Sequence, residues 1–209
     1  MPSAIWYFDF ISPFAYLQRP KILALRGRID VVPVPIVFGA VLKHHGQLGP
    51  AEIPGKREFT YRFVQWKAAR SGIPLRFPPM HPFNSLAALR LCIAAGGGWD
   101  AIGAIFDHLW RDGRAGTTAE ELADVGRRFG IDDIGAAIAA DATKSTLRAN
   151  TERALARGVF GVPTLDAGGE LFWGDDATGM IEDWLADPTC FAAGEYARIA
   201  VLPGVQRAR

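Results

Sequence analysis

The sequence predicts an α/β fold in which a βαβ unit at one end and a ββα unit at the other are separated by more than a hundred residues of helix. Three observations carry that prediction. An apolar run, Ile5-Trp6-Tyr7-Phe8-Asp9-Phe10, breaks into Ser12-Pro13 and a helical pattern. A β-branched run over 29–37 follows it. Two short strand-like segments, split by Gly168-Gly169, then stand before a last helical pattern.

The first run reads as a central strand, because it is aromatic, β-branched and too continuous for a half-exposed edge. Ser12 stands where a helix N-cap would stand. Pro13 suits the first helical position, where its missing N–H costs nothing and its φ matches the helix. The helix is predicted over 13–24, with Phe14, Leu17, Ile22 and Leu25 on its buried side and an end near Gly27. Its N-terminus offers free N–H groups and the positive end of the dipole, which favour phosphate, carboxylate or thiolate. Pro33 and Pro35 suit a sheet edge for the second strand. Strand, helix, strand is a parallel βαβ opening.

The middle of the chain reads as helical. A Gly/Pro-rich loop over 44–55 leads to a helix from about Lys56, with Phe59, Phe63, Trp66 and Arg70 at helical spacing and Gly72 closing it. Pro74, Pro78, Pro79 and Pro82 make an extended loop. Asn84 is predicted to cap a helix over 86–93, and Gly96-Gly97-Gly98 ends it, as a C-cap rather than a phosphate loop. A helix over 99–111 follows. Thr117-x-x-Glu120 and Thr118-x-x-Glu121 are overlapping capping boxes that announce another. Shorter helices are predicted over 134–140 and 144–157. The chain then returns to strands, Thr164-Leu165-Asp166 and Leu171-Phe172-Trp173 forming an antiparallel hairpin. Asp175 or Asp176 starts a last helix with Met180, Ile181, Trp184 and Leu185. These patterns assign 1–38 and 144–209 to one domain and 39–143 to an inserted helical domain.

At 209 residues, 49% apolar and 22% charged, the chain has the make-up of an ordinary soluble protein with a substantial core. A net charge of +1 argues against nucleic acid or an anionic membrane as partner. No apolar window approaches the roughly 18 residues of a membrane span. Cys92 and Cys190 show neither a Cys-x-x-Cys nor a metal spacing, and His44, His45, His81 and His108 form no ligand pattern, so no metal is expected. The first residues lack a basic segment and run through Asp9 into Pro13, a poor secretory signal, so the reading is cytoplasmic. No Gly-x-Ser-x-Gly is present, which argues against a serine hydrolase.

Two segments make the layout recognisable: Ser12-Pro13-Phe14-Ala15 after the first strand, and Val162-Pro163-Thr164 just before the hairpin, after Gly158-Val159-Phe160-Gly161. With this topology the chain resembles the thioredoxin-like superfamily over nearly its whole length. More narrowly, it resembles the branch containing DsbA, kappa-class glutathione transferases and 2-hydroxychromene-2-carboxylate isomerases. The fold so implied is a thioredoxin-like domain with an all-α insertion. The resemblance implies that Val162, before a cis Pro163, offers its backbone N–H and C=O to the cysteinyl part of glutathione, as strand addition on a very short ligand. The superfamily's oxidoreductases need two cysteines at the helix start. Ser12 and Ala15 stand there instead, so dithiol exchange is chemically excluded. The Ser12 hydroxyl would donate to a bound glutathione thiolate, which the helix dipole also favours, leaving the glutathione sulfur as nucleophile.

Other matched positions extend the resemblance. Phe172-Trp173-Gly174-Asp175-Asp176 looks like the family's Gly-x-Asp segment, which implies that Asp175, Asp176 and nearby amides meet the γ-glutamyl end of glutathione. Ala177 stands where the family often has Arg, and Gln47 where the isomerases tend to have Asn. His81-Pro82-Phe83-Asn84-Ser85-Leu86 resembles the isomerases' segment before an insertion helix, making Phe83 and Asn84 candidate substrate contacts. Lys56, after Pro54-Gly55, matches a lysine placed near the substrate or the glycine carboxylate of glutathione. Tyr61, Trp66 and Trp110 are further candidates for an aromatic site. Each has a structural alternative: Ser12, Asn84, Asp175 and Asp176 as plain caps, Lys56 as surface, the aromatics as core.

The implied activity is glutathione-dependent cis/trans isomerisation of 2-hydroxychromene-2-carboxylate-type intermediates of aromatic degradation, by a homodimer acting on a small aromatic substrate with glutathione as cofactor. A kappa-like transferase that conjugates electrophiles, and a non-catalytic thioredoxin-like binding module, are the alternatives.

Overall fold

A computed structural model describes residues 1–204 of the chain; the last residues of the expected second stretch of the thioredoxin-like domain, 205–209, lie outside the described residues. Strand β1 (Ser3–Phe8) leads into helix α1 (Pro13–Ala24) and strand β2 (Asp30–Pro35). Helices α2 (Phe38–His45), α3 (Pro54–Arg70), α4 (Leu86–Ala94), α5 (Trp99–Phe106), α6 (Ala123–Arg127), α7 (Ile134–Ala139) and α8 (Asp141–Ala156) follow. The hairpin β3 (Thr164–Ala167) and β4 (Glu170–Trp173) precedes α9 (Thr178–Ala186) and α10 (Gly194–Ala200).

The four strands make one mixed sheet in the order β2-β1-β3-β4. β1 pairs in parallel with β2, Ser3 opposite Asp30, and antiparallel with β3, Tyr7 opposite Thr164. It is therefore the central strand that its continuous apolar run predicts, and β2 with its two prolines is an edge. The side-chain alternation of β1 explains the run. Trp6 and Phe8 enter the main core with Phe10, Leu17 and Phe106, while Tyr7 enters a second cluster with Ile36, Val41, Ala154, Val159 and Val162. Helices thus cover both faces. On one side α8 is tied to the end of β2 by Asn150, whose amide donates to the Pro35 carbonyl (3.2 Å), and by Thr151, which accepts from the Val37 N–H (3.1 Å). In the main core the fully buried Gln18 accepts from Trp6 Nε1 (2.8 Å) and donates to the Gly174 carbonyl (2.9 Å), joining β1, α1 and the turn after β4.

Several elements differ from the sequence expectation. The loop expected from 44 onward is preceded by helix α2, whose only buried side chain is Val41, so no apolar periodicity marks it. Gly46, at φ 61°, closes that helix in the left-handed region that glycine occupies cheaply. The pairing predicted at Thr118 and Glu121 forms, with the Glu121 N–H donating to Thr118 Oγ1 and the Thr118 N–H to Glu121 Oε2. Yet residues 117–122 form a bend and turns, and α6 begins only at Ala123. Ser85, not Asn84, is the N-cap position of α4, although Asn84 Oδ1 accepts from the Leu86 N–H (3.0 Å). The helix after 99 runs as α5 and then as a wider π turn over Asp107–Arg111. The last helix opens with a 3₁₀ turn, Asp175–Ala177, before α9, and α10 is an addition. Among the described residues no helix is long and apolar enough to cross a membrane. Both cysteines are free thiols; burial pushes Cys92 up to about 12.

Candidate active site

The site is built outward from the junction of β1 and α1. Asp9, 1% exposed, accepts the Ile11 N–H on Oδ1 (3.1 Å) and the Phe38 N–H on Oδ2 (2.9 Å), and its carbonyl accepts the Ser12 N–H (3.1 Å). Burial holds the Asp9 carboxyl above its ordinary value, while donors from Phe38, Ser85, Ile11 and Phe10 pull the other way. These bonds fold the chain back so that Ser12, at φ −89° and ψ 113°, becomes the N-cap of α1 with Pro13 behind it. Ser12 Oγ accepts the Ala15 N–H at 3.3 Å. Its own proton points at the Val162 carbonyl at 3.5 Å, a long and weak contact. The Val162–Pro163 bond is cis, and both Ser12 and Val162 are buried. Residues 150 positions apart are thereby joined.

A second junction lies beside the first. Gly174, at φ 88°, turns the chain out of β4, and its N–H donates to the Pro163 carbonyl (2.8 Å). The side chain of the next residue, Asp175, is completely buried. Lys21 of α1 donates to its Oδ1 (2.7 Å), and Lys67 of α3 stands in ion-pair contact with Oδ2 (2.8 Å) without a directed hydrogen bond. Lys67 also donates to Asp176 Oδ1, and the Asp176 side chain is 75% exposed. Burial alone would lower the Lys67 ammonium, but the bonds and charges of Asp175 and Asp176 outweigh it and hold it above its ordinary value. Neither lysine is marked by a local motif.

The third wall comes from α3 and the loop before α4. The Tyr61 hydroxyl sits 2.7 Å from both His81 Nδ1 and the His81 carbonyl, while His81 Nε2 lies 2.9 Å from the Ile11 carbonyl. A carbonyl only accepts, so Nε2 carries the proton, and the single Tyr61 O–H is shared between the His81 carbonyl and Nδ1. Burial holds this imidazole below its ordinary value. Phe77, Phe83 and Trp110 surround it, with ring centroids 5.9, 6.2 and 5.4 Å away, and Trp110 Nε1 donates to the Phe10 carbonyl (2.7 Å). Tyr61 and Phe83 are therefore brought to the loop that carries Ser12. In the sequence His81 stands out only within its segment and as one of four histidines without a ligand pattern, and its place as their link is not marked.

Other candidates fall elsewhere. Trp66 is 57% exposed and belongs to a stack with Phe63 and Phe59; Phe63 in turn meets Phe14 at 6.3 Å, two residues beyond Ser12. Asn84 and Gln47 are exposed, the former engaged with Leu86. Lys56 is exposed on the first turn of α3. At 3.6 residues per turn, Lys56, Phe63 and Lys67 fall within about 40° of one another, and the two lysines are about 16 Å apart along the axis. One face of α3 thus carries an ammonium at each end and an aromatic ring between them.

These parts suit a thiol peptide. The Ser12 proton is held only weakly and is free to turn to an anion at the start of α1. The backbone of Val162 lies beside it, and cations stand at both ends of α3.

The DSBA-like thioredoxin domain model matches residues 5–186. The chain is 30% identical over 194 residues to the 2-hydroxychromene-2-carboxylate isomerase of Pseudomonas putida, with 85% of this chain and 91% of that protein covered. It is 25% identical over 205 residues to glutathione S-transferase kappa 2 of Caenorhabditis elegans, with 88% and 91% covered. Among solved structures, it is similar to a 2-hydroxychromene-2-carboxylate isomerase at a TM-score of 0.76 and 27% identity, with 88% of this chain and 94% of that chain covered.

Proposed function

The chain belongs to the DSBA-like thioredoxin domain family and, within it, groups with the 2-hydroxychromene-2-carboxylate isomerases, and from that premise we propose that it is a glutathione-dependent isomerase of ring-opened aromatic carboxylates. The observation that carries this reading is Ser12: a serine hydroxyl, not a thiol, caps α1 within 3.5 Å of the Val162 carbonyl at a cis-proline. Such a site has no redox-active sulfur of its own and suits one that arrives with a bound molecule. Glutathione, when bound, would supply the thiolate nucleophile.

The roles of the protein's residues follow from their positions. Ser12 turns its proton from the Val162 carbonyl toward the sulfur and, with the positive end of α1, keeps the thiol ionised at neutral pH. Val162 lends its backbone N–H and carbonyl to the cysteinyl unit, and Pro163 holds that backbone in place. Asp176 receives the γ-glutamyl ammonium. Asp175, consumed by two lysines, shapes the turn without touching the ligand. Lys56, at the far end of α3, meets the glycine carboxylate. Tyr61 and Phe83 form the wall beside Ser12 against which a flat substrate packs, while exposed Asn84 and Trp66 lie at its margin. A serine site that needs reduced glutathione also suits a reducing compartment.

The test has two arms. Titration of the protein with glutathione develops the ultraviolet band of a thiolate; its absence leaves only a binding module. Assay with 2-hydroxychromene-2-carboxylate gives turnover that requires glutathione without consuming it, whereas net conjugation of chlorodinitrobenzene at a higher rate makes the protein a transferase. Ser12→Ala lowers turnover about 100-fold and costs about 1 kcal/mol of stability from the lost cap. Loss of activity in proportion to the unfolded fraction would reduce Ser12 to a cap.

A further inference from the structure

We infer that Lys67 reads the α-carboxylate of an amino-acid head group at the β4–α9 junction, making a four-charge cluster a receptor for a zwitterion. This rests on the glutathione reading above and assigns the recognition of its γ-glutamyl end to a residue of α3.

The Asp175 side chain has no exposed surface, and its two oxygens face Lys21 and Lys67, so it meets no ligand. Asp176 is the reverse: one oxygen touches Lys67 and the side chain is 75% exposed, which leaves the other oxygen turned to solvent. An ammonium carries three donors; Lys67 gives one to Asp176 and stands in ion-pair contact with Asp175 without a directed hydrogen bond. The Lys67 side chain is 14% exposed, so it reaches the surface, where a remaining N–H can meet a ligand.

Charge decides the ligand class. Two carboxylates and two ammoniums make the cluster neutral, so a lone anion or a lone cation would leave one charge uncompensated beside a buried carboxylate. A zwitterionic amino-acid group adds one of each: its ammonium pairs with the open oxygen of Asp176, and its carboxylate takes a remaining N–H of Lys67. No basic side chain comes from the turn itself, where Ala177, 8% exposed, follows Asp176. Lys67 reaches the same turn from α3, lying 5.3 Å over the Phe63 ring, which in turn meets Phe14 beside Ser12.

Calorimetry tests this with two ligands: glutathione, and the analogue in which 4-aminobutyryl replaces γ-glutamyl and so removes only the α-carboxylate. The wild-type protein binds glutathione about 10- to 100-fold more tightly than the analogue. Lys67→Met loses that factor for glutathione and leaves the analogue unchanged, and Lys67→Arg restores the preference. Equal weakening of both ligands in Lys67→Met, or no preference in the wild type, overturns the inference while sparing the glutathione reading. If Lys67→Met does not fold, the wild-type preference and its survival in Lys67→Arg decide. A wild-type protein that binds neither ligand removes the glutathione reading, and the inference with it.

Discussion

The two strand-to-helix junctions that form the site bury an aspartate each, Asp9 at 1% and Asp175 at 2% exposure, and settle its charge in opposite ways. Asp9 is surrounded by neutral donors, backbone N–H groups from its own turn and from α2. Asp175 is held between two ammoniums, one from α1 and one from α3. The first arrangement shapes a loop; the second clamps three elements. Ionisation follows from this: burial dominates at Asp9, while at the second junction the aspartates raise the lysine that serves them.

The contrast can be broken by substitution. Asp175→Ala carries the largest effect on stability, about 3 kcal/mol, and no more because Lys21 and Lys67 can turn partly to water. Thermal denaturation should show a fall that Lys21→Met recovers in part when added to Asp175→Ala. If instead Asp175→Ala melts like the wild type, the clamp is only a surface contact.

Asp9→Asn comes next, at about 1–2 kcal/mol, because an amide nitrogen must then face a backbone N–H. Its pH dependence gives the sharper test. The Asp9 value is raised above 3.8 in the folded state, so its contribution is fully present below 3.8 and is lost as pH rises through the raised native value. The gap in urea midpoint between wild type and Asp9→Asn therefore narrows with rising pH; a widening gap would mean that hydrogen bonding, not burial, governs Asp9.

His81→Gln costs about 1 kcal/mol through the bonds to Tyr61 and Ile11. The folded-state value of His81 lies below 6.5, so the unfolded chain takes up a proton that the native site refuses. Wild-type stability is unaffected above 6.5 and falls as pH drops from there through the lowered native value, and His81→Gln flattens that part of the profile. The smallest effect belongs to Arg111→Ala. Its pairs with Asp107 and Asp112 are exposed, and removing them changes stability by less than about 0.5 kcal/mol, which sets the baseline for the buried junctions.

The same contrast explains what could be read from sequence. The β1–α1 junction is local: a continuous aromatic strand, then Ser-Pro at an N-cap, all within a few residues. Its place in the centre of the sheet and its helix boundaries followed directly. The β4–α9 junction was legible only as far as Gly174-Asp175-Asp176, because Lys67 lies more than a hundred residues away on a helix whose charges look like an ordinary solvated face. His81 was missed for the same reason, since its partners Tyr61 and Ile11 are 20 and 70 residues distant. Helix α2 was hidden by having one buried side chain, and the start of α6 was placed early because a capping pair forms equally well on a turn.

The strand order carries a consequence for how the protein is made. β1 is synthesised before the other strands of the sheet, yet the neighbour that completes it is β3, whose Thr164 pairs with Tyr7, and helices α2 to α8 emerge between them. During translation β1 can zip to β2 at once, but its other edge stays open until the hairpin has left the ribosome, an edge that invites pairing with a foreign strand. Ser12 thus appears 150 residues before its neighbour Val162; a nascent chain interrupted before the hairpin has a helix cap without the backbone that faces it.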